Sequence, residues 1–470
     1  MFTKLRKKAL PQKNCRANNM RASDHTTCIY SNDTASSRNG DKINFSLPDS
    51  IAHSFFKIAN KLFREGSYFE AALIYEACAL RYPTFPPYRL NRDKALSFLA
   101  SQRQGRRPTL CTSSMPLDDY LIRVCDTLLD RHKLLKEAEW EESLASFINH
   151  PEYHLLCANY HGLKSSASRL EHLNHYFKAH GLREASFNSF STESSPFLSK
   201  LQFHQGPAQH GDLVSVCMSM HNAQDTLPYA IRSILQQDYQ DFELIIIDDQ
   251  SSDDSASIAE TFASSDSRIR VIHNTENVGT YINRNRAIQI SKGRYFTVMD
   301  SDDFAHPQRL TIQLESMQNQ GSAIATVGRW IRATTEGKFL FKVGLGGAYL
   351  HMAVATLMFE LQSVKNRIGY YDSVRMGADM EYYERIRKVF GPESLTETKP
   401  PLALAFVHGS NLTSDTMHGI CPIYGSSESR LAYRKAWQHW HTSSSQLFIG
   451  TDCTQRPFPA PEPLTVSASL

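Results

Sequence analysis

Two short segments combine the pattern of a buried strand with paired carboxylates. Residues 244–254 read LIIIDDQSSDD, and residues 298–303 read VMDSDD. An apolar run of this length is typical of a buried strand, and a cluster of carboxylates cannot be buried with it without a large cost in free energy. The acids should therefore lie where each strand leaves its sheet. Ligands bind at the carboxyl ends of strands in open parallel sheets, so the two clusters predict a site for a metal ion and a phosphorylated ligand.

Several side chains near these strand ends have the chemistry for such a site. The alternating acids Asp300 and Asp302 can offer two oxygens to one hard cation. Mg²⁺ and Mn²⁺ prefer carboxylate oxygens and take the rest of their coordination shell from waters and ligand phosphates. Asn222 and Asp249 are suited to hydrogen-bond a base or a ribose. Arg284, near the start of a predicted helix, is suited to meet a phosphate.

The elements that must position these residues alternate regularly along the chain. Apolar runs predict strands at 213–220, 242–247, 268–273 and 294–299, and helical spacing of apolar residues predicts helices between them at 225–237, 254–264 and 280–292. Strands that alternate with helices across short connections require a parallel sheet with right-handed crossovers. We therefore expect an α/β fold in which all four strands present their carboxyl ends at one edge of the sheet.

The run 214–310 resembles the nucleotide-diphospho-sugar half of family 2 glycosyltransferases of the GT-A fold. The resemblance is carried by VSVCMSMHNAQDTLPYAIRSILQQDYQDFELIIIDDQSSDDS and then by RIRVIHNTENVGTYINRNRAIQISKGRYFTVMDSDDFAHPQRL, with the motifs of the family in their usual order. It implies a mixed, mainly parallel sheet flanked by helices over residues 211–425, preceded by an α-helical region that lies outside the resemblance.

The resemblance also implies roles for individual residues. Asp249 is similar to the family's uracil-contacting acid, with Asp248 in support, and Arg284 is similar to an arginine near the nucleotide. Asp300 and Asp302 resemble the DxD motif, with the first acid toward the ribose and the second on the metal. The expected donor-binding set is Asn222, Asp248, Asp249, Asn277, Gly279, Arg284 and Asp300.

Two further features bear on catalysis and on the metal. The family has an acidic general base on a later helix, and GADMEYYERIRKV (377–389) fits that helix, with Asp379 at the position of the base. The family often has Glu-Asp there, whereas Ala378 precedes Asp379 here, which leaves Glu381 as a competitor. A plain amphipathic helix is the alternative to both. His408, at the end of a predicted strand, is either a metal ligand beside Asp300 and Asp302 or a structural histidine.

The resemblance, together with these residues, implies an inverting glycosyltransferase. It would use Mn²⁺ or Mg²⁺ and move a sugar from a nucleotide-diphosphate donor, a UDP-sugar by expectation, to a saccharide acceptor in surface or capsular polysaccharide synthesis. A nucleotidyltransferase would need a glycine-rich phosphate loop after the first strand, and residues 220–228 contain no glycine. The second alternative is a non-catalytic helical-repeat scaffold with a degenerate nucleotide-sugar domain.

The remaining segments are assigned from composition and periodicity. Residues 1–48 are polar and basic and are expected to be disordered. Residues 49–105 resemble a tetratricopeptide-like helical hairpin that could bind a protein partner, and residues 106–200 continue helical. Residues 191–212 have the composition of a linker. A closing helix is expected at 426–445 and a disordered tail at 446–470.

Composition limits the class of protein. A net charge of +3 is close to balance and does not suggest nucleic-acid binding. No stretch predicts a signal peptide or a membrane span, and none of the nine cysteines forms a CxxC pair. We expect a cytoplasmic protein, with peripheral contact to the inner face of the membrane or to the polysaccharide-synthesis machinery as a second expectation. The histidines between 132 and 180 follow no metal-ligand spacing, and ordinary structural roles are expected for them.

Overall fold

The computed structural model describes residues 50–81, 86–102, 126, 150–163, 165–189, 195–341, 348–409, 411, 419–421, 425–451 and 456–466. Within these ranges no helix has the length and apolar character needed to cross a membrane. The predicted disorder of residues 1–48 and most of the predicted helical region between 103 and 149 lie outside the described residues.

Four parallel strands form the half of the main sheet predicted from the sequence. They are β3 (Val214–Met220), β4 (Phe242–Asp248), β5 (Ile269–His273) and β6 (Tyr295–Val298), in the spatial order β5-β4-β3-β6. Helices α7 (Leu227–Leu235), α8 (Ser255–Ser265) and α9 (Thr280–Ile290) connect them. The predicted bounds of these seven elements hold to within two residues.

The second half of the sheet is built from β7 (Phe304–Ala305), β8 (Ala325–Thr334), β9 (Phe339–Leu340), β10 (His351–Glu360) and β11 (Leu395–Val407). β10 pairs antiparallel with β6 and β8, and β8 pairs parallel with β11. Between these strands the chain forms α10 (Arg309–Asn319), α11 (Leu361–Ile368) and α12 (Ala378–Phe390). The sheet is therefore mixed, which confirms the α/β fold class. Two short strands, β12 (Ile420–Cys421) and β13 (Gly425–Ser426), form a separate ribbon.

Both faces of the sheet are covered, which explains the unbroken apolar runs of its central strands. Ile245 and Ile247 point into a core formed with α9 and α12. Their neighbours Leu244 and Ile246 point to the other face and pack with α7 and α10. Because side chains alternate between the two faces of a strand, a run buried on both faces shows no polar alternation.

The N-terminal helices pack on the same sheet. They are α1 (Ser50–Arg64), α2 (Tyr68–Arg81), α3 (Pro86–Gln102), α4 (Tyr153–His161) and α5 (Ser166–Ala179). One buried cluster joins side chains from α1, α2, α4 and α5 to Ile331, Phe339 and Phe406 of the sheet. Gly66, at φ +83°, lies between α1 and α2 as the break predicted there. The assignment of this hairpin to a tetratricopeptide-type repeat stays a prediction.

Residues 185–203 are not helical throughout. β1 (Ala185–Phe187) pairs antiparallel with β2 (Leu201–Phe203), and a single turn of helix, α6 (Phe197–Lys200), precedes β2. Phe203 is buried against Phe304 and His306 at the edge of the main sheet. The described part of the predicted linker therefore contributes a strand to the core.

The C-terminal segment also differs from the sequence expectation. The closing helix α13 (Glu428–Ser443) forms as expected, but residues after it are packed, whereas a disordered tail was predicted from 446. Leu447, Ile449, Phe458 and Leu464 are all buried. Backbone hydrogen bonds join Ile449 to Ile368 and Tyr370. The tail is polar in overall composition, but these four apolar side chains pack into the buried cluster that contains residues of α11 and α12.

Candidate active site

The carboxyl ends of β3, β4, β5 and β6 meet at one edge of the sheet, as the sequence predicts. Asp248 ends β4 there and Asp249 follows it, while Asp300 follows β6. Asn222, after β3, is in the left-handed region at φ +50°. Its side-chain oxygen accepts a hydrogen bond from the Ser252 backbone N–H at 2.8 Å. Asn222 therefore holds the loop after β4 onto the end of β3.

Asp249 is the best-connected acid of this edge and is only 3% exposed. Its carboxylate accepts hydrogen bonds from the backbone N–H groups of Val278 and Gly279, at 2.9 and 2.8 Å. The Asn274 amide donates a third, at 2.9 Å. The Asn277 amide donates to the Asp249 carbonyl oxygen at 3.2 Å. Asp249 thus fixes the turn before α9, where Gly279 has φ +85° and no other residue type would be unstrained.

Asp248 has local partners as well. One carboxylate oxygen accepts from the Ser251 N–H at 3.0 Å, and the other lies 3.3 Å from Nδ1 of His273. The side chains of Asp248 and Asp249 are both committed to the loops that shape this edge. The structure therefore brings the predicted donor-binding residues together, and gives these two a positioning role in addition.

Arg284 and Asp300 form an ion pair beneath the edge. The Arg284 guanidinium donates to Oδ1 of Asp300 at 2.9 Å and lies over the ring of Tyr281, 5.1 Å from its centre. Burial raises the pKa of the Asp300 carboxyl, the Arg284 charge opposes this shift, and the charges of Asp302 and Asp379 add to it. Three acids from β6 and α12 therefore share one electrostatic environment.

Asp302 faces His408, which follows β11. Nε2 of His408 lies 3.0 Å from Oδ2 of Asp302, and the Asn411 amide donates to the same oxygen at 2.7 Å. About a quarter of the Asp302 side chain and of the His408 side chain is exposed, so solvent reaches the pair. Two cis ligands of an octahedral ion with bonds of 2.0–2.1 Å are about 3.0 Å apart. A carboxylate oxygen and an imidazole nitrogen at this separation could bind one Mn²⁺ or Mg²⁺ ion. Among the described residues, however, Asp300 does not complete with them a group of three ligand atoms within 4.8 Å of one another.

Two buried residues that sequence reasoning did not select support the acidic loop. Asp303 accepts a hydrogen bond from the Phe406 N–H at 3.1 Å, which ties the loop to β11. Arg309 is fully buried and donates to the Val298 carbonyl at 2.7 Å and to the Thr297 hydroxyl at 2.9 Å. Burial lowers its pKa to about 10, so it stays charged at neutral pH behind the acids. Asn411 was also missed, and its spacing of three from His408 is the only sequence signal for it.

Asp379 and Glu381 have different surroundings, although both lie in the first turn of α12. Asp379 is partly exposed, and its Oδ1 accepts from the Met380 N–H at 2.8 Å. Glu381 is fully buried, with one carboxylate oxygen 2.9 Å from the Arg385 guanidinium and the other 2.9 Å from Nε2 of His441. Only Asp379 is accessible to a ligand, and Glu381 holds α12 against α13.

Residues 215–348 match the family model described as glycosyl transferase family 2. Among curated relatives, the chain is 30% identical over 132 residues to the glycosyltransferase GlyG of Streptococcus pneumoniae, covering 28% of this chain and 44% of that protein. It is 36% identical over 116 residues to TuaG of Bacillus subtilis, a protein named for a role in teichuronic acid biosynthesis, covering 25% and 46% of the two chains.

A third relative has a more specific name. The chain is 30% identical over 161 residues to the Escherichia coli UDP-Glc:alpha-D-GlcNAc-diphosphoundecaprenol beta-1,3-glucosyltransferase WfaP, covering 33% of this chain and 63% of WfaP. The chain thus spans about half the length of the curated relatives it matches. A solved structure of Staphylococcus aureus TarS with UDP-GlcNAc is 15% identical and aligns with a TM-score of 0.35 over 42% of this chain and 59% of that one. Residues 215–348 of this chain are therefore similar to glycosyl transferase family 2.

Proposed function

We propose that this protein transfers a sugar from a nucleoside-diphosphate donor, a UDP-sugar, to a saccharide hydroxyl with inversion, in the synthesis of a surface or capsular polysaccharide. The observation that carries the proposal is the grouping of Asp300, Asp302, His408 and Asp379 at the carboxyl edge of the sheet. Support comes from the match of residues 215–348 to a family of sugar transferases, and from the names of the relatives TuaG and WfaP, which point to cell-surface glycans.

Asp379 is the residue we assign as general base. Its carboxylate is accessible, and its charge reaches both Asp300 and Arg284. Glu381, the competing acid, is fully buried in an ion pair with Arg385. A base must come within hydrogen-bond reach of the proton that it removes, which favours Asp379.

The reaction would be a single displacement. The acceptor oxygen attacks the anomeric carbon from the face opposite the diphosphate, its proton passes to Asp379, and the bond from the anomeric carbon to the diphosphate oxygen breaks. One displacement at one carbon inverts its configuration, and no covalent enzyme nucleophile is needed. Arg284 orients Asp300 through their ion pair, and Asp300 is assigned to the donor ribose.

Asp302 and His408 would hold a divalent cation, with Asp300 beside them. Such a cation neutralises negative charge on a departing diphosphate. Asn411 donates to the same Asp302 oxygen and lies 3.2 Å from His408 Nε2, so it orients both groups. The loops at this edge would shape the nucleotide pocket, and the residues that hold these loops are Asn222, Asp248, Asp249, Asn277 and Gly279.

A nucleotide-sugar panel tests the proposal. The full chain is incubated with UDP- and GDP-sugars and saccharide acceptors, with Mn²⁺ or with EDTA, and release of nucleoside diphosphate is measured. We expect release from one UDP-sugar, dependent on Mn²⁺ and lost in Asp379→Asn. The matched control is Glu384→Gln, a carboxylate on the outer side of the same helix. If the chain binds UDP but releases no nucleoside diphosphate with any combination of donor and acceptor, the result would instead support the non-catalytic scaffold.

A further inference from the structure

Three histidines face one another across the α4–α5 hairpin, away from the proposed donor site. His154 lies on α4, and His172 and His175 lie on α5. One ring nitrogen of each histidine lies within 4.8 Å of a ring nitrogen of each of the others. Residues three apart share one face of a helix, so the two histidines of α5 project toward α4 together.

Two of these rings have nitrogens with no hydrogen-bond partner. Nδ1 of His154 and Nδ1 of His172 are buried and make no hydrogen bond. A buried polar atom without a partner costs about 1–3 kcal/mol, so native proteins normally satisfy such atoms.

We propose that His154, His172 and His175 bind a Zn²⁺ ion. Three neutral imidazoles are a common zinc ligand set, and the fourth tetrahedral position is left for water because His175 is exposed. Imidazole suits Zn²⁺, whereas Mg²⁺ and Mn²⁺ prefer oxygen ligands. Zn–N bonds of 2.0–2.1 Å place tetrahedral nitrogens about 3.4 Å apart, so the ring nitrogens would move toward one another by at most about 1.4 Å. This site is therefore chemically distinct from the Asp302–His408 pair.

The position of the hairpin indicates a structural role for the ion. Asn159, on α4, donates to the Phe339 carbonyl at 2.8 Å and accepts from the Phe339 N–H at 2.7 Å. Glu152, just before α4, accepts from the Tyr349 N–H at 2.7 Å. A metal that joins α4 to α5 would therefore stabilise the hairpin and its attachment to the segments that carry Phe339 and Tyr349.

Zinc titration of the untagged full chain tests this site. Calorimetry with Zn²⁺, and the visible absorption of bound Co²⁺, are compared in the parent chain, in His172→Asn/His175→Asn, and in His439→Asn, which removes an exposed histidine of α13 as the control. We expect one equivalent of Zn²⁺ with a tetrahedral Co²⁺ spectrum and a raised unfolding temperature. The double variant should bind Zn²⁺ more than about 100-fold more weakly than the parent chain. Loss of a residue that only hydrogen-bonds to a metal ligand lowers affinity by about 10–100-fold, so a larger loss indicates that the histidines themselves bind the ion.

Two additional variants make the result decisive. Asp302→Asn/His408→Asn removes the proposed donor-site ligands and should keep the zinc site, so failure of the proposed function and failure of this inference are distinguishable. His175→Asn alone changes an exposed side chain and covers the case in which the double variant does not fold. Equal zinc affinity and stoichiometry in the parent chain and in folded His172/His175 variants would overturn the inference.

Discussion

Nε2 of His408 lies 3.0 Å from Oδ2 of Asp302, although the two residues are 106 positions apart in the chain. β11 and the loop after β6 bring them together, because β7 in that loop pairs with β11. The pair is the basis on which we propose His408 as a metal ligand, and a hydrogen-bonded structural histidine is the alternative that the first prediction tests.

The first prediction concerns this pair. Asp302→Ala and His408→Ala should each abolish Mn²⁺-dependent UDP binding, measured by calorimetry with Mn²⁺ and with EDTA. The free energy of unfolding should change little, because both side chains are partly open to solvent and ion pairs near the surface contribute only about 0–1 kcal/mol. His439→Ala is the control. Retention of Mn²⁺-dependent binding in both variants would remove this pair from the metal site.

The second prediction concerns Asp249. Asp249→Ala leaves the N–H groups of Val278 and Gly279 without their acceptor, in a buried turn. We expect a loss of about 1–3 kcal/mol in the free energy of unfolding, measured by urea denaturation, together with weaker UDP binding. A variant of normal stability that loses only UDP affinity would show that the carboxylate acts on the ligand alone.

The third prediction separates the two acids of α12. Asp379→Asn should lower the rate of sugar transfer by about 10²–10⁴-fold and leave UDP binding intact. Glu381→Gln breaks a buried ion pair, and such a loss costs about 3–5 kcal/mol of stability. Transfer rates are therefore normalised to the folded fraction, measured by circular dichroism. Severe loss of transfer in folded Glu381→Gln, with normal Asp379→Asn, would reverse the assignment.

The fourth prediction concerns the ends of the catalytic region. A chain of residues 205–445 lacks α4, α5 and the segment that carries Leu447, Ile449, Phe458 and Leu464. Each such side chain contributes about 1.5–3 kcal/mol when buried, and a whole domain is stable by only about 5–15 kcal/mol. We expect residues 50–470 to unfold cooperatively on heating and residues 205–445 to aggregate. Equal unfolding temperatures would show that these contacts are dispensable.

Much of the part of the sheet that carries the candidate site could be predicted from the local sequence. The runs that form β3, β4 and β6 are largely buried on both faces, and short apolar runs bounded by turns are typical of buried parallel strands. The acids that follow β4 and β6 must then leave the sheet at one edge. For this reason the sequence alone predicts that Asp249, Asp300 and Asp302 lie at the same edge of the sheet.

The tertiary structure decided what depends on contacts between distant segments. Asp379 and Glu381 are about 200° apart around a helix, and only the packing of α12 against α13 shows which of them is buried. The partnership of His408 and Asn411 with Asp302 depends on the register of β7 against β11. His154, His172 and His175 follow no metal-ligand spacing, because their grouping arises from two helices that pack face to face. Local sequence sets the period of each element, whereas side-chain partners across elements are set by packing.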